Sequence, residues 1–309
     1  MFRFVLVRLL QAIPVLLIVI SITFMLVRAA PGGPFDSEKN APPEVIQKLN
    51  ERYHLNDSLI TQLSDYISNA LQGDLGPSFR YPGRSVTEII FTGLPVTLEL
   101  GLYATCFAIV IGLLTGLIAS YRPNSWQDYS AMTFAMTGIC LPSFVLGPLL
   151  ILIFSIWLEW LPVSGWNQFN GDKILPSITL GAAYAAYISR LTRGGMLEIL
   201  SQDFIRTARA KGLSETRVIL KHGLKGGLLP VVTFLGPAFA GLLSGSFIIE
   251  TIFQIPGIGR LYVQAAFNRD YTMIMGTTIF FATLIVVFNL ISDIIAAMLN
   301  PRITYKGKN

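Results

Sequence analysis

The sequence predicts an all-α integral membrane protein with about six transmembrane helices and both termini cytoplasmic. Three observations carry this. The 309 residues are 52% hydrophobic and 13% charged, where an ordinary soluble domain is about 25% charged, and their mean hydropathy is +0.59. The charges are unevenly spread and leave six long uncharged windows. Those windows are continuous apolar runs, not the short alternating segments of a transmembrane β-barrel.

In chain order the windows lie between Arg8 and Arg28, Glu99 and Arg122, Asp128 and Glu159, Lys173 and Arg190, Lys225 and Glu250, and Asp270 and Asp293. A helix needs roughly 20 mostly apolar residues to cross a hydrocarbon core about 30 Å thick. The fourth window reaches that length only if Arg190 and Arg193 extend their stems toward the headgroups. The sixth is expected to run to Leu299, where Asn300-Pro301 stops it. The first exceeds the roughly 7 to 15 residues of a secretory signal core. Cys106 and Cys140 fall in different spans, which suggests packing roles and neither a disulfide nor a metal site.

Basic residues set the orientation, since Lys and Arg are retained on the cytoplasmic side of span ends. With the N-terminus inside, 14 of the 23 Lys and Arg residues are cytoplasmic and eleven of the 18 acidic residues are external. The pI near 9.2 then reflects topology and does not argue for nucleic-acid binding. Residues 1–28 form the N-terminus and first span, 29–95 an extracytoplasmic cap, and 96–309 the transmembrane core with a cytoplasmic loop at 194–225. The cap opens with Pro31-Gly32-Gly33-Pro34, continues through a polar helical stretch from Pro42 to Gln72, and turns at Gly73-Asp74-Leu75-Gly76-Pro77. Cap and loop are both too long to be simple connections. The loop is basic and helix-compatible, with Gly212 as its one clear interruption, so helix, bend and second helix are expected.

The sequence contains no GxxxxGK[ST], HExxH, CxxC or GxSxG motif, and its only histidines are His54 and His222. A phosphate-cradling loop, a zinc protease site and a serine nucleophile elbow are therefore unsupported. No cofactor or metal is expected on this chain. Glu99 and Glu250 lie near the outer ends of their spans and Asp293 about two turns from the inner end of the last. Each is expected to have a capping or interhelical partner. Pro14, Pro142 and Pro148 are expected to kink their helices. Gly112, Gly116, Gly138, Gly241 and Gly245 are expected to allow close helix contacts.

Two segments stand out. The first holds Asp203, Arg206, Thr207, Ala208, Arg209, Ala210, Lys211, Gly212 and Leu213. Small Ala208 and Ala210 allow another surface to approach, the three cations offer charge-assisted contacts, and Gly212 permits a turn. A docking knob results, and the plain alternative is a basic loop resting on anionic headgroups. The second runs from Glu250 through Pro256, Gly257 and Gly259 to Arg269 and Asp270. Its glycines suggest a tight, partly re-entrant turn, a gate at the outer mouth or an ordinary external loop. A third, weaker pair comprises Tyr53-His54-Leu55-Asn56-Asp57 and Gly73 to Phe79, readable as a receiving surface or as a lid.

These segments resemble the binding-protein-dependent ABC importer permeases, in the oligopeptide and dipeptide branch. Arg206, Thr207 and Ala208 stand where the wider family has Glu-Ala-Ala, and Gly212 matches its central glycine. Arg replaces the usual Glu, and Lys225 stands where Pro is frequent. The resemblance implies a type I importer transmembrane domain in the bacterial inner membrane, with no catalysis of its own. It further implies a second, related permease subunit, two ATPase subunits that use ATP and Mg, an extracytoplasmic peptide-binding protein and a peptide substrate. The alternative from another class is an ATP-independent secondary transporter or channel.

Overall fold

The computed structural model describes residues 2–30, 34, 47–48, 55–166 and 171–299. Among these the regular structure is helical, apart from an isolated bridge between Pro77 and Ser85. The expectations for Pro31 to Gly33, for most of the stretch from Pro42 to His54, and for Asn300, Pro301, Arg302, Lys306 and Lys308 lie outside the described residues.

Four helices are long and apolar enough to cross a membrane: α1 (Phe2–Ala29), α3 (Val86–Tyr121), α10 (Leu229–Ile252) and α12 (Tyr271–Leu299). The third window is not a straight span. Its helix α4 (Trp126–Cys140) is followed, after a bend of 106°, by Ser143–Trp157, made of α5 (Ser143–Leu150) and the wider π-turns Ile151–Trp157. Pro142 explains the break. A residue before proline is driven out of the helical region, and Leu141 is extended at φ −97°, ψ 116°. Taken as one span, the pair is a fifth. The fourth window lies in α6 (Ile174–Leu200), 27 residues long but outside that apolar set.

The chain forms two compact units, residues 1–97 with 256–286 and residues 98–255 with 287–309. In the larger unit, the modest hydropathy of α6 has a structural cause: its polar and small residues face protein. Ser177, Thr179, Ser189 and Thr192 are buried. A Cβ on Gly112 would lie 2.7 Å from Ile188, and one on Gly116 would lie 2.5 Å from Thr192. Likewise Gly138 faces Ala182, Gly181 faces Ala104 and Gly195 faces Gly227. Lipid tails are as apolar as leucine, so helix association inside a bilayer depends on such close approach and on hydrogen bonds. Thr115 and Ser189 supply one bond at 2.9 Å. Gly241 also faces a neighbour, the Tyr184 hydroxyl, whereas the space beside Gly245 is open.

An ion pair ties α4 to α6. Arg193 donates through Nε and Nη2 to the two oxygens of Asp128, at 2.8 and 2.7 Å. The carboxylate also accepts from the Asn124 backbone at 2.9 Å. Glu99 has its partners in the segment that leads into α6, accepting from Trp166 Nε1 at 3.0 Å and pairing with Lys173 at the helix's N-cap. Cys106 and Cys140 are exposed on the chain surface, so the expected packing role does not hold.

In the smaller unit, α2 (Leu59–Leu71) starts on Ser58, whose hydroxyl accepts from Thr61 N–H at 3.2 Å. The helix lays Leu63, Tyr66 and Ile67 on Ile20, Phe24 and Met275. Helix α11 (Ile258–Phe267) packs Ile258, Leu261 and Ala265 against Val86, Ile89, Ile90 and Met273.

Replacing Asp128 by Asn leaves the Arg193 guanidinium without a counter-charge. We expect a loss of about 3 kcal/mol, the low end for a broken buried pair because Arg193 is 29% exposed. The measurement is the unfolding temperature in detergent, and the Asp128→Arg/Arg193→Asp double variant should recover part of it.

Candidate functional site

The internal loop contains two bends rather than one. Helix α6 continues through Arg190 to Leu200 and breaks at Ser201-Gln202, where the Ser201 hydroxyl donates to the Glu198 carbonyl at 2.7 Å and Gln202 is extended. Serine competes in this way with helical hydrogen bonding, and its signal was missed beside the more obvious Gly212.

The short helix α7 (Asp203–Ala210) follows. Ile205 and Ala208 turn inward and pack with Leu200, Leu213 and Val218. Ala208 is only 6% exposed, so the expectation that it offers close approach to another surface does not hold: its small side chain fits its own chain. Asp203, Phe204, Arg206, Thr207, Arg209, Ala210 and Lys211 are exposed. Phe204, half exposed, was overlooked in the sequence, although an aromatic flanked by Asp203 and Arg206 on an amphipathic helix is the signal that finds it.

The bend at Gly212 is a Schellman cap. Gly212 N–H donates to the Arg209 carbonyl at 2.9 Å, and Leu213 N–H to the Ala208 carbonyl at 3.4 Å. Gly212 has φ +76°, and a Cβ there would meet nothing within 4 Å. Glycine is needed for the backbone, not for space. Beyond it lie α8 (Glu215–Arg217), the wide turns Val218–Gly223 and α9 (Leu224–Gly227). Arg209 closes the bend, donating to both Glu215 oxygens at 3.1 and 2.6 Å. This bond holds the Glu215 carboxyl below its ordinary range and raises the Arg209 guanidinium. A second exposed pair joins Arg206 and Asp203 at 3.4 Å.

The other predicted segment divides between the two units. In the larger, Glu250 is fully buried and accepts from the Ser246 hydroxyl at 2.8 Å. Helix α10 also ends in a Schellman cap, Ile255 N–H donating to the Glu250 carbonyl at 2.8 Å. Its left-handed residue is Gln254, with φ +54°. Gly257 instead is extended, at φ −96° and ψ 177°, and Gly259 is not left-handed either. These two glycines therefore do not make the turn by left-handed backbone.

In the smaller unit, Pro256 is exposed, whereas Gly257 and Gly259 are buried. A Cβ on Gly93 would lie 3.0 Å from Ile258 N and 3.2 Å from the Gly257 carbonyl carbon, so the segment needs close backbone approach. Ile258 N–H donates to Thr97 Oγ1 at 2.9 Å. Helix α11 ends with left-handed Arg269, φ +55°, and Asp270 N–H donates to the Ala265 carbonyl at 2.9 Å. The Asp270 carboxylate is 1% exposed. It accepts from the Ser78 hydroxyl and from the Phe79, Arg80 and Met273 N–H groups. One side chain thus caps the start of α12 and pins the turn after Gly76-Pro77, where Thr272 adds a bond to the Pro77 carbonyl at 2.6 Å. The role of Asp270 as a fastener was not legible in a linear motif.

Among the described residues, no cluster of His, Cys, Asp and Glu is arranged to hold a metal. The model of a family described as "Binding-protein-dependent transport system inner membrane component" matches residues 108–305, and the model of its N-terminal part matches residues 1–101. The chain is 48% identical to the oligopeptide transport system permease protein OppB of Haemophilus influenzae, over 99% of this chain and all of that protein. It is 41% identical to the dipeptide transport system permease protein DppB of Bacillus subtilis, over 95% of each. Among solved structures, the MetNI methionine ABC transporter in an inward-facing conformation matches with a TM-score of 0.56 at 17% identity, over 69% of this chain and 96% of that one.

Two outcomes follow from the geometry. Gly212→Ala should cost the elbow about 1 kcal/mol through left-handed strain alone, and Gly212→Val more, read as increased mobility of a spin label at Thr216. Because the Glu215 carboxyl is depressed, its contribution is present above its unfolded value near 4.5 and is lost as pH falls through the lower folded value. The same label should gain mobility below about pH 4.5, and Glu215→Gln should remove that pH dependence.

Proposed function

The chain belongs to the family of binding-protein-dependent transport system inner membrane components, and from that membership we propose that it is a non-catalytic permease subunit of an ATP-driven importer of oligopeptides. It is a multi-pass protein of the inner membrane. On this reading it pairs with a second, related permease subunit, receives peptide from an extracytoplasmic binding protein, and is driven by two ATPase subunits that use ATP and Mg. The names of the relatives, oligopeptide and dipeptide permeases at 41% to 48% identity, support the cargo class.

One observation carries the mechanism: a short helix that shows Phe204, Arg206 and Lys211 outward while a Schellman cap and the Arg209–Glu215 pair hold its exit. An apolar residue among cations is suited to a cleft on an ATPase subunit, with Phe204 as the anchor. Movement of that subunit would push the helix, and the permease would switch between two packings by rigid-body motion. In the extracytoplasmic part, Glu250, Pro256, Gly257, Gly259, Arg269 and Asp270 would belong to the outer turn that opens and closes the path.

The proposed topology has six spans, with α6 as the one shielded from lipid, the termini and the loop at 194–225 cytoplasmic, and the cap at 29–95 outside. Cysteine labelling by an impermeant reagent tests it. Positions 62 and 80 should label from outside, and 206 and 211 only after the membrane is opened.

The decisive experiment is co-purification with the partner subunits in lipid discs. Peptide-loaded binding protein should stimulate ATP hydrolysis, and Phe204→Ala should weaken that stimulation about tenfold, the loss expected when a buried aromatic anchor is truncated. Uptake by the purified chain alone, driven by an ion gradient without ATP, would end the proposal.

A further inference from the structure

Where α3 ends and α4 begins, a groove of about 360 Å³ opens beside the second half of the elbow. Its apolar lining is Leu117 and Ile118 of α3 with Ile219 and Leu220, of which Ile118 and Leu220 are more than half exposed. Its polar lining is Arg122, Gln127 and Thr216, with Arg122 just past the end of α3, about one turn beyond Ile118. Arg122 is exposed. Its guanidinium lies over the Tyr121 ring at 5.8 Å, and no carboxylate among the described residues pairs with it.

A groove lined by apolar side chains and one exposed cation fits an amphiphile with an anionic head. A soluble anion would leave the apolar lining uncovered, and a polar peptide would leave backbone groups unsatisfied against it. Depth is indicated separately. Tyr121, Trp126 and Tyr129, which bracket Arg122 in sequence, are 51%, 74% and 65% exposed, and exposed Trp and Tyr at span ends sit at headgroup level. Arg122 is therefore at the depth of lipid phosphates.

We propose that this groove holds one anionic glycerophospholipid, its phosphate on Arg122 and an acyl chain between Leu117-Ile118 and Ile219-Leu220. The lipid bridges the end of α3 to the segment that follows α8, so anionic lipid steadies the second half of the elbow. This goes beyond the transport reading and requires only that the chain is embedded in a bilayer.

The test uses the full chain with its partner subunits in lipid discs of phosphatidylcholine containing increasing phosphatidylglycerol, with retained lipid counted by native mass spectrometry after transfer to detergent. One phosphatidylglycerol per chain should survive transfer in preference to phosphatidylcholine. Arg122→Ala should weaken its retention about fivefold, the weight of one cation at an anionic surface, and Arg122→Lys should largely preserve it. Leu220→Trp, which fills the groove from its apolar lining and leaves Arg122 in place, should also lose it. Equal retention of the two lipids, or unchanged phosphatidylglycerol retention in either Arg122→Ala or Leu220→Trp, overturns the proposal.

Discussion

The close packing of α6 is the constraint on which the larger unit depends. A helix exposed to lipid gains little by leaving lipid for another apolar helix, so something other than apolar burial must assemble this part of the chain. Here it is backbone proximity. Gly112 and Gly116 bring α3 against Ile188 and Thr192, Gly138 brings α4 against Ala182, and Gly195 admits Gly227. The Asp128–Arg193 pair then fixes which turns face each other. Close packing alone is compatible with several registers, whereas a two-pronged ion pair accepts one.

That arrangement explains which features were legible in the sequence. The four apolar helices follow from charge-free windows because lipid exposure demands uniform apolarity. Helix α6 reads weakly for the opposite reason: Ser177, Thr179, Ser189 and Thr192 spend their polarity on protein neighbours, and hydropathy cannot tell that from solvent exposure. The bend after Cys140 was expected only as a kink at Pro142, because proline forbids helix at the preceding residue without fixing the angle. Partners distant in sequence were the least legible. Nothing in the string links Ser78 to Asp270, which join across 192 positions.

The helix ends give a parallel lesson. Helices α7, α10 and α11 all finish with the same pair of reversed hydrogen bonds, yet only one has glycine at the left-handed position. Gly212 was found because glycine there is the inexpensive choice. Gln254 and Arg269 were not, because a polar residue adopts this conformation at a cost of roughly 1 to 2 kcal/mol, and tertiary contacts must offset it. Around Arg269 those contacts are visible: Asp270, the next residue, has its carboxylate saturated by donors from two segments. Strain of this kind persists only where the surroundings over-determine it, which makes the neighbourhood of Asp270 a rigid joint.

A rigid elbow is what the proposed drive requires. A force applied to Phe204 and its neighbouring cations does work on the spans only if the elbow does not simply fold away. Two contacts prevent that. Ile205 and Ala208 are packed onto Leu200 at the end of α6 and onto Val218 in the following segment, and the return helix lays Gly223, Gly226 and Gly227 directly on Met196 and Ile199. Both halves of the elbow are therefore seated on the last turns of α6, and close-packed interiors move as blocks more readily than they deform. On the proposed drive, displacement at the exposed face of α7 would enter α6 through these contacts, and from there reach α4 through Arg193 and Asp128 and α3 through the glycine contacts. The least apolar of the long helices would thus carry that load beside α10, into which the second half of the elbow runs directly.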